Sequence, residues 1–292
     1  MGQPFKYVVL DFDGTCTQID RIYESFLRAY LEELHAANPT GEPPEADWKD
    51  ALAQVIAASP KAGWTLMGVP STAPAAADPY ILAGEAAALL KRQRDALVLP
   101  DTAYAKAYER NHAPWRDEVA ATLQELVDRG LKVGFISNSS TKVIHARLDD
   151  LLGAGSALRE QIHVRGSAAK FKIQEIPLAT SPAARHLARF ERVPAIDLDG
   201  AAAIGRPIYL RRGSYFEALC ALWSDFGEDG YPIAETIFCG DIWELDLALP
   251  QALGAAVHLV RRAAPFHSYP YELARVAPAH QSDDLASLLA RV

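Results

Sequence analysis

The stretch Val8-Val9-Leu10-Asp11-Phe12-Asp13-Gly14-Thr15-Cys16-Thr17 decides how the rest of the chain is read. Val8, Val9 and Leu10 form a short apolar run of the kind found in strands buried on both faces. Asp11 and Asp13 follow at once, and Gly14 supplies a tight turn. Two carboxylates at the end of a buried strand are costly unless a cation or hydrogen bonds hold them. An Asp-Gly turn accounts for Asp13 and Gly14, but it leaves Asp11 and Thr15 unexplained.

Working outward, two further apolar runs end in polar residues. LKVGFISNSS (Leu131–Ser140) carries Ser137 and Asn138, and Thr236 to Cys239 runs into GDIWELD, with Asp241 and Asp246. Helical spacing separates these strands: Val119, Leu123, Leu126 and Val127 form one stripe, and Tyr215 to Phe226 and Thr141 to Leu152 read as helices. Shorter strands are expected at Gln161 to Val164, Pro207 to Leu210 and Ala255 to Val260, with a terminal helix over Asp283 to Leu289. Alternation of strand and helix marks an α/β fold, a doubly wound parallel sheet. In such a sheet the carboxyl ends of the strands share one edge, so Asp11, Asp13, Ser137, Asn138, Asp241 and Asp246 converge.

About ninety residues separate the first two strong strands, too many for a plain crossover. They read as helices near Ile19 to Ala36, Trp48 to Ala58, Gly84 to Leu97 and Thr102 to Arg110, with a Pro- and Ala-rich loop or lid at Ser59 to Pro79. The expected division is a discontinuous core of residues 1–18 and 112–292 carrying a mostly helical cap of residues 19–111. Ala168 to Arg206 is an elaboration on the core, and a hairpin turn is expected at Asp199-Gly200.

The string DFDGT resembles the first motif of the haloacid dehalogenase superfamily, FISNS resembles its second around Ser137, and CGDIWELD resembles its fourth. The resemblance covers the core and implies a Rossmann-like fold and Mg²⁺-dependent hydrolysis of a phosphomonoester. The chemistry of the residues agrees. Asp11 is placed as a nucleophile that forms an aspartyl-phosphate. Asp13 acts as general acid, then base. Mg²⁺ is expected on Asp11, Asp13 (through its carbonyl), Asp241 and Asp246. Thr15, Ser137 and Asn138 are assigned to the phosphoryl group. Glu244, on the same turn as Asp246, is expected to be a solvated side chain.

The resemblance also implies a third-motif cation, usually lysine, near the helix before the fourth-motif strand. Arg211 and Arg212 occupy that place, with Lys170 as the upstream rival; Arg212 is preferred, with Arg211 and Lys170 beside the substrate. Alternatives with the same aspartate pair are a phosphomutase and a non-catalytic metal-binding or phospho-aspartate regulator. A dehalogenase is disfavoured because that branch lacks an acid at the position of Asp13.

A formal net charge of −8 argues against nucleic acid or an anionic membrane surface as partner. No apolar run approaches the roughly 20 residues that span a bilayer. No signal-peptide pattern is apparent, and Cys16, Cys220 and Cys239 form no CxxC pair, which together suggest reduced thiols and a cytoplasmic protein. A small phosphorylated metabolite is the expected partner, and the oligomeric state, including a homo-oligomer, is left open.

Overall fold

A computed structural model describes residues 5–66, 68–173, 177 and 181–292. From the amino end, β1 (Tyr7–Leu10) leads through the acidic turn into α1 (Tyr23–Ala37) and α2 (Glu45–Ala58). A hairpin of β2 (Gly63–Leu66) and β3 (Val69–Pro74) follows, then α3 (Pro79–Gln93) and α4 (Ala103–Arg110). Next come α5 (Val119–Asp128), β4 (Lys132–Ile136), α6 (Thr141–Leu152), α7 (Ala157–Glu160) and β5 (Ile162–Arg165). The elaboration holds α8 (Leu187–Phe190) and α9 (Leu198–Ile204) and leads to α10 (Gly213–Asp225). The chain closes with β6 (Thr236–Gly240), α11 (Ala248–Ala252), β7 (Ala256–Val260), α12 (Pro270–Arg275) and β8 (Gln281–Ser282).

Six strands form a parallel sheet in the order β5-β4-β1-β6-β7-β8. The sequence of crossovers reverses direction beside β1, which makes its carboxyl end a switch point where ligands bind. Period-two alternation splits β1 between two cores. Tyr7 and Val9 join the cluster built on α10, with Phe216 and Trp223. Val8 and Leu10 join the cluster built on α5 and α6, with Leu123, Leu126 and Ile144. Both faces are therefore covered, as the unbroken apolar runs require.

Register does the positioning. Leu10 lies opposite Phe135 on one side and Cys239 on the other. The ladder continues one step, with the Asp11 amide donating to the Cys239 carbonyl at 2.9 Å. The residues after Leu10, Ile136 and Gly240 thus leave the sheet at one level, and Asp11, Ser137 and Asp241 emerge together.

The insertion between β1 and β4 has an apolar cluster of its own, including Phe26, Leu34, Trp48 and Leu82. Four local expectations fail. The stretch expected as a loop or lid contains the β2/β3 hairpin, because Trp64, Thr65, Val69 and Thr72 favour extended backbone and a two-stranded ladder tolerates prolines at its edges. Pro207 to Leu210 adds no strand to the sheet and makes only an isolated bridge from Tyr209 to Ile196. Asp199-Gly200 is not a hairpin turn: it opens α9, whose first turn is capped by the Asp197 carboxylate accepting from the Gly200 amide at 3.2 Å. The terminal segment is a single 3₁₀ turn, Ala286–Ala290, and the two-residue β8 was too short to register as periodicity. Among the described residues, no helix is long and apolar enough to cross a membrane.

Candidate active site

At the end of β1 the backbone turns at Gly14, whose φ of +84° favours glycine. Glycine is required for a second reason: a Cβ there would lie 2.5 Å from Asp241 Oδ2. Asp241 can therefore approach the turn closely. The Thr15 hydroxyl sits between the two acids, 3.3 Å from Asp11 Oδ2 and 3.1 Å from Asp241 Oδ1. Having one proton, it satisfies one carboxylate at a time.

Carboxylate oxygens of Asp11, Asp241 and Asp246 lie within 4.8 Å of one another, and all three residues are buried. Positive charge is needed to hold them. Lys170 supplies some: its fully buried ammonium is 2.5 Å from Oδ1 of Asp11 and 2.5 Å from Oδ1 of Asp246. Burial pushes Asp11 up to about 7, with Lys170 opposing and Asp246 reinforcing the shift. Burial and the neighbouring Asp246 and Asp11 raise Asp241 well above its ordinary value. One lysine leaves three buried carboxylates under-compensated. Asp241 Oδ2, buried and accepting no hydrogen bond, marks where the deficit lies. An all-oxygen site with an orphaned carboxylate oxygen fits a hard divalent cation such as Mg²⁺. Asp246 is more fully engaged, since its Oδ2 accepts from the Ile242 amide at 2.9 Å.

Asp13 faces the same space from the other side of the turn. The Ser139 hydroxyl donates to its Oδ2. Tyr108, from α4, places its hydroxyl 3.2 Å from both Asp13 oxygens and 2.8 Å from Ser139 Oγ. Burial raises the Asp13 carboxyl, and the bonds from Ser139 and Tyr108 pull it back. Neither partner was singled out from sequence. Ser140 caps α6, accepting from the Val143 amide at 3.2 Å, which leaves the Ser139 hydroxyl to Asp13. Tyr108 lies one turn from Tyr104 in an aromatic stripe, their rings stacked at 5.9 Å, and such a stripe reads as core. His112 is exposed, 5.5 Å from the Tyr108 ring.

The preference for Arg212 and Arg211 is corrected by their positions. Arg212 is completely buried behind the site, where Nη1 donates to the carbonyls of Leu245 (2.6 Å) and Lys170 (3.2 Å). It holds two loops together and touches no carboxylate of the cluster. Arg211 points away, bonding the carbonyls of Val193 (2.6 Å) and Glu191 (2.8 Å). Lys170 arrives instead because the chain after β5 curls back over the end of β4. Ser167 and Ala169 adopt positive φ of 52° and 45°. The Ala168 amide donates to the Ser137 carbonyl at 2.9 Å, and the Lys170 amide to Asn138 Oδ1 at 2.7 Å. Asn138 thus holds the lysine loop, while Ser137 lines the cavity.

Glu244 is not solvated. A π-helical turn at Trp243–Leu247 directs Asp246 to the cluster and buries Glu244 against Arg206, at 2.6 and 3.0 Å, and the Tyr271 hydroxyl. A second buried pair fixes the same loop: Arg262 pairs with Glu272 and donates to the Asp241 carbonyl at 2.6 Å, while Glu272 accepts from the Trp243 amide. Cys16 packs in the turn with its thiol 3.3 Å from the Asp11 carbonyl, and burial raises it well above the usual thiol value. That is a packing role.

Above the carboxylates lies a cavity of about 340 Å³. Its floor includes Asp11, Asp13, Asp241, Asp246, Ser137 and Lys170; Tyr30, Trp64, Tyr80 and Tyr104 wall it from the insertion, and Phe171, Ile242 and Leu245 from the core. Trp64 lines it. Lys61 and Arg92 are exposed and Arg94 pairs with Glu42 and Asp47, all away from the cavity.

A family model described as haloacid dehalogenase-like hydrolase matches residues 5–172, more than half of the chain. No curated protein matches the sequence. Among solved structures, a predicted phosphoglycolate phosphatase from Haemophilus somnus 129pt superposes with a TM-score of 0.52 at 15% identity, covering 98% of this chain and 97% of that one. The HAD-hydrolase YfnB from Bacillus subtilis, described as bound to magnesium, gives 0.48 at 14% identity over 99% of each chain. The L-2-haloacid dehalogenase from Xanthobacter autotrophicus gives 0.46 at 18% identity over 98% of each.

Proposed function

Because this chain belongs to the haloacid dehalogenase-like hydrolases, we propose that it is the phosphatase kind: a Mg²⁺-dependent hydrolase of small phosphomonoesters that works through a phosphorylated Asp11. The observation that carries this reading is Asp13, a second carboxyl facing the Asp11 cavity and held by Ser139 and Tyr108. Hydrolysis of an ester needs a proton delivered to the departing alcohol, whereas loss of a halide does not.

In this reading a carboxylate oxygen of Asp11 attacks phosphorus as the ester P–O bond breaks. Asp13 hands its proton to the leaving oxygen. Asp13, now a carboxylate, takes a proton from water, and that water attacks the phosphoryl group, releasing inorganic phosphate and restoring Asp11. Lys170 steadies the charge on Asp11 throughout, with Asp246 fixing its ammonium. Ser137 and Thr15 are assigned hydrogen bonds to the phosphoryl oxygens. Mg²⁺, held by Asp11, Asp241 and the Asp13 carbonyl, would neutralise charge between the anionic nucleophile and the anionic ester. The insertion, residues 19–111, serves as a cap that excludes bulk water.

Phosphate release from a panel of phosphomonoesters, with Mg²⁺ and with chelator, tests the proposal. Metal-dependent release that disappears in Asp11→Asn is the predicted outcome. Halide release from 2-haloacids with no phosphate release from any ester would sink it.

A further inference from the structure

The cavity has two unlike kinds of lining. Around Asp11 lie the charged groups of the proposed chemistry, and the rest of the wall includes Tyr30, Trp64, Tyr80, Tyr104, Phe171 and Leu245. Trp64 and Phe171 meet edge to face, with centroids 5.1 Å apart, and Tyr80 and Tyr104 do so at 6.2 Å. Rings so arranged offer edges and faces to another ring.

Among the described residues, no cation serves that wall. Lys170 is the one basic residue among the described residues that line the cavity, and both of its short contacts are to Asp11 and Asp246. The nearby arginines are committed elsewhere: Arg206 to Glu244, and Arg262 to Glu272. The residues outside the description contain neither lysine nor arginine.

The same wall carries an acid, within electrostatic reach of Asp13 and Asp241. Asp78, buried at the start of α3, lines the cavity while one of its oxygens caps the helix, accepting from the Ile81 amide at 2.7 Å. Beside it the Tyr80 hydroxyl is buried without a hydrogen-bond partner. That hydroxyl is available to a neutral polar atom of a bound molecule. Burial pushes the Asp78 carboxyl up to about 7, so at neutral pH it carries part of a negative charge. A second anion here would lose its water, find no counter-charge and face that acid.

We propose that the alcohol carried on the phosphate is an aromatic body without negative charge, so that aryl-methyl phosphates are accepted and esters bearing a carboxylate or second phosphate are rejected. This rests on the phosphomonoesterase reading and narrows it. The Tyr80 hydroxyl and the Asp78 carboxylate set the selectivity; the aromatic walls supply the affinity.

The test compares benzyl phosphate, 4-carbamoylbenzyl phosphate, 4-carboxybenzyl phosphate and phosphoglycolate on the full chain with Mg²⁺. The amide and the acid match in size and differ in charge. The predicted result is a kcat/KM for the amide at least about tenfold above that for the acid, with benzyl phosphate above phosphoglycolate. Asp78→Asn, which keeps the helix-capping oxygen, should shrink the amide-to-acid ratio. Equal turnover of amide and acid, or phosphoglycolate as the better substrate, would overturn the substrate class and leave the phosphatase standing. No phosphate from any ester, from folded protein that binds Mg²⁺, would overturn both.

Discussion

The ammonium of Lys170 lies 2.5 Å from Oδ1 of Asp11, although 159 positions separate the two residues. Both are buried, and Asp246 shares the same ammonium. Removing it leaves two carboxylates facing each other without compensation. Lys170→Ala should lower kcat by about 10²–10³-fold and cost about 3 kcal/mol of stability without Mg²⁺. Arg211→Ala should stay near wild type in kcat. Arg212→Ala should lose stability through its two carbonyl contacts while keeping more activity than the lysine variant. Steady-state kinetics and thermal melts on the three variants check this ordering.

Tyr108 ties the insertion to Asp13. Tyr108→Phe keeps the ring packing and removes only the hydroxyl, so the loss in stability should be about 1 kcal/mol. The bond from Tyr108 favours the ionised form of Asp13. Without it the carboxyl rises, stays protonated to higher pH, and the alkaline limb of kcat should move upward. A pH–rate profile of the variant measures the direction.

In the Arg206–Glu244 pair the carboxylate is fully buried and the guanidinium largely so. Glu244→Ala should cost about 3–5 kcal/mol by leaving the guanidinium unpaired. The double variant Arg206→Met, Glu244→Leu should recover much of that loss. Urea unfolding of the single and double variants reads it directly.

His258 in β7 is buried with one ring nitrogen unpartnered and the other 2.8 Å from Ser282 Oγ. Burial lowers it from 6.5 to about 4, with Arg291 and His280 adding to the effect and Asp284 opposing it. The folded state therefore resists a proton that the unfolded chain accepts near 6.5. Its contribution is complete above that pH and falls by about 3 kcal/mol as pH drops toward 4. His258→Gln should flatten the fall, measured as unfolding free energy against pH.

The core of the fold was legible because buried parallel strands advertise themselves. Val8 to Leu10, Val133 to Ile136 and Thr236 to Cys239 are apolar runs, each ending in the polar residues that meet at the sheet edge. What failed was controlled by tertiary context. Lys170 sits just after β5, 42 residues before Arg212, and reaches Asp11 only because two residues of positive φ fold the loop back over β4. A spacing rule along the chain cannot see that curl. Arg212 sits where the family pattern expects its cation but faces carbonyls. Tyr108 and Asp78 belong to an insertion whose packing no motif announces, and Glu244 lay on a turn whose π-helical geometry turns it inward.

The central claim is that Asp11 carries the phosphoryl group during turnover. Wild-type protein mixed with Mg²⁺ and excess benzyl phosphate, quenched in acid within one turnover and digested, allows the peptide containing Asp11 to be weighed. The account predicts a fraction heavier by one phosphoryl group, absent in Asp11→Asn and lost when substrate is removed before the quench. Metal-dependent phosphate release with no such adduct on Asp11 at any quench time, and undiminished turnover in Asp11→Asn, would contradict it.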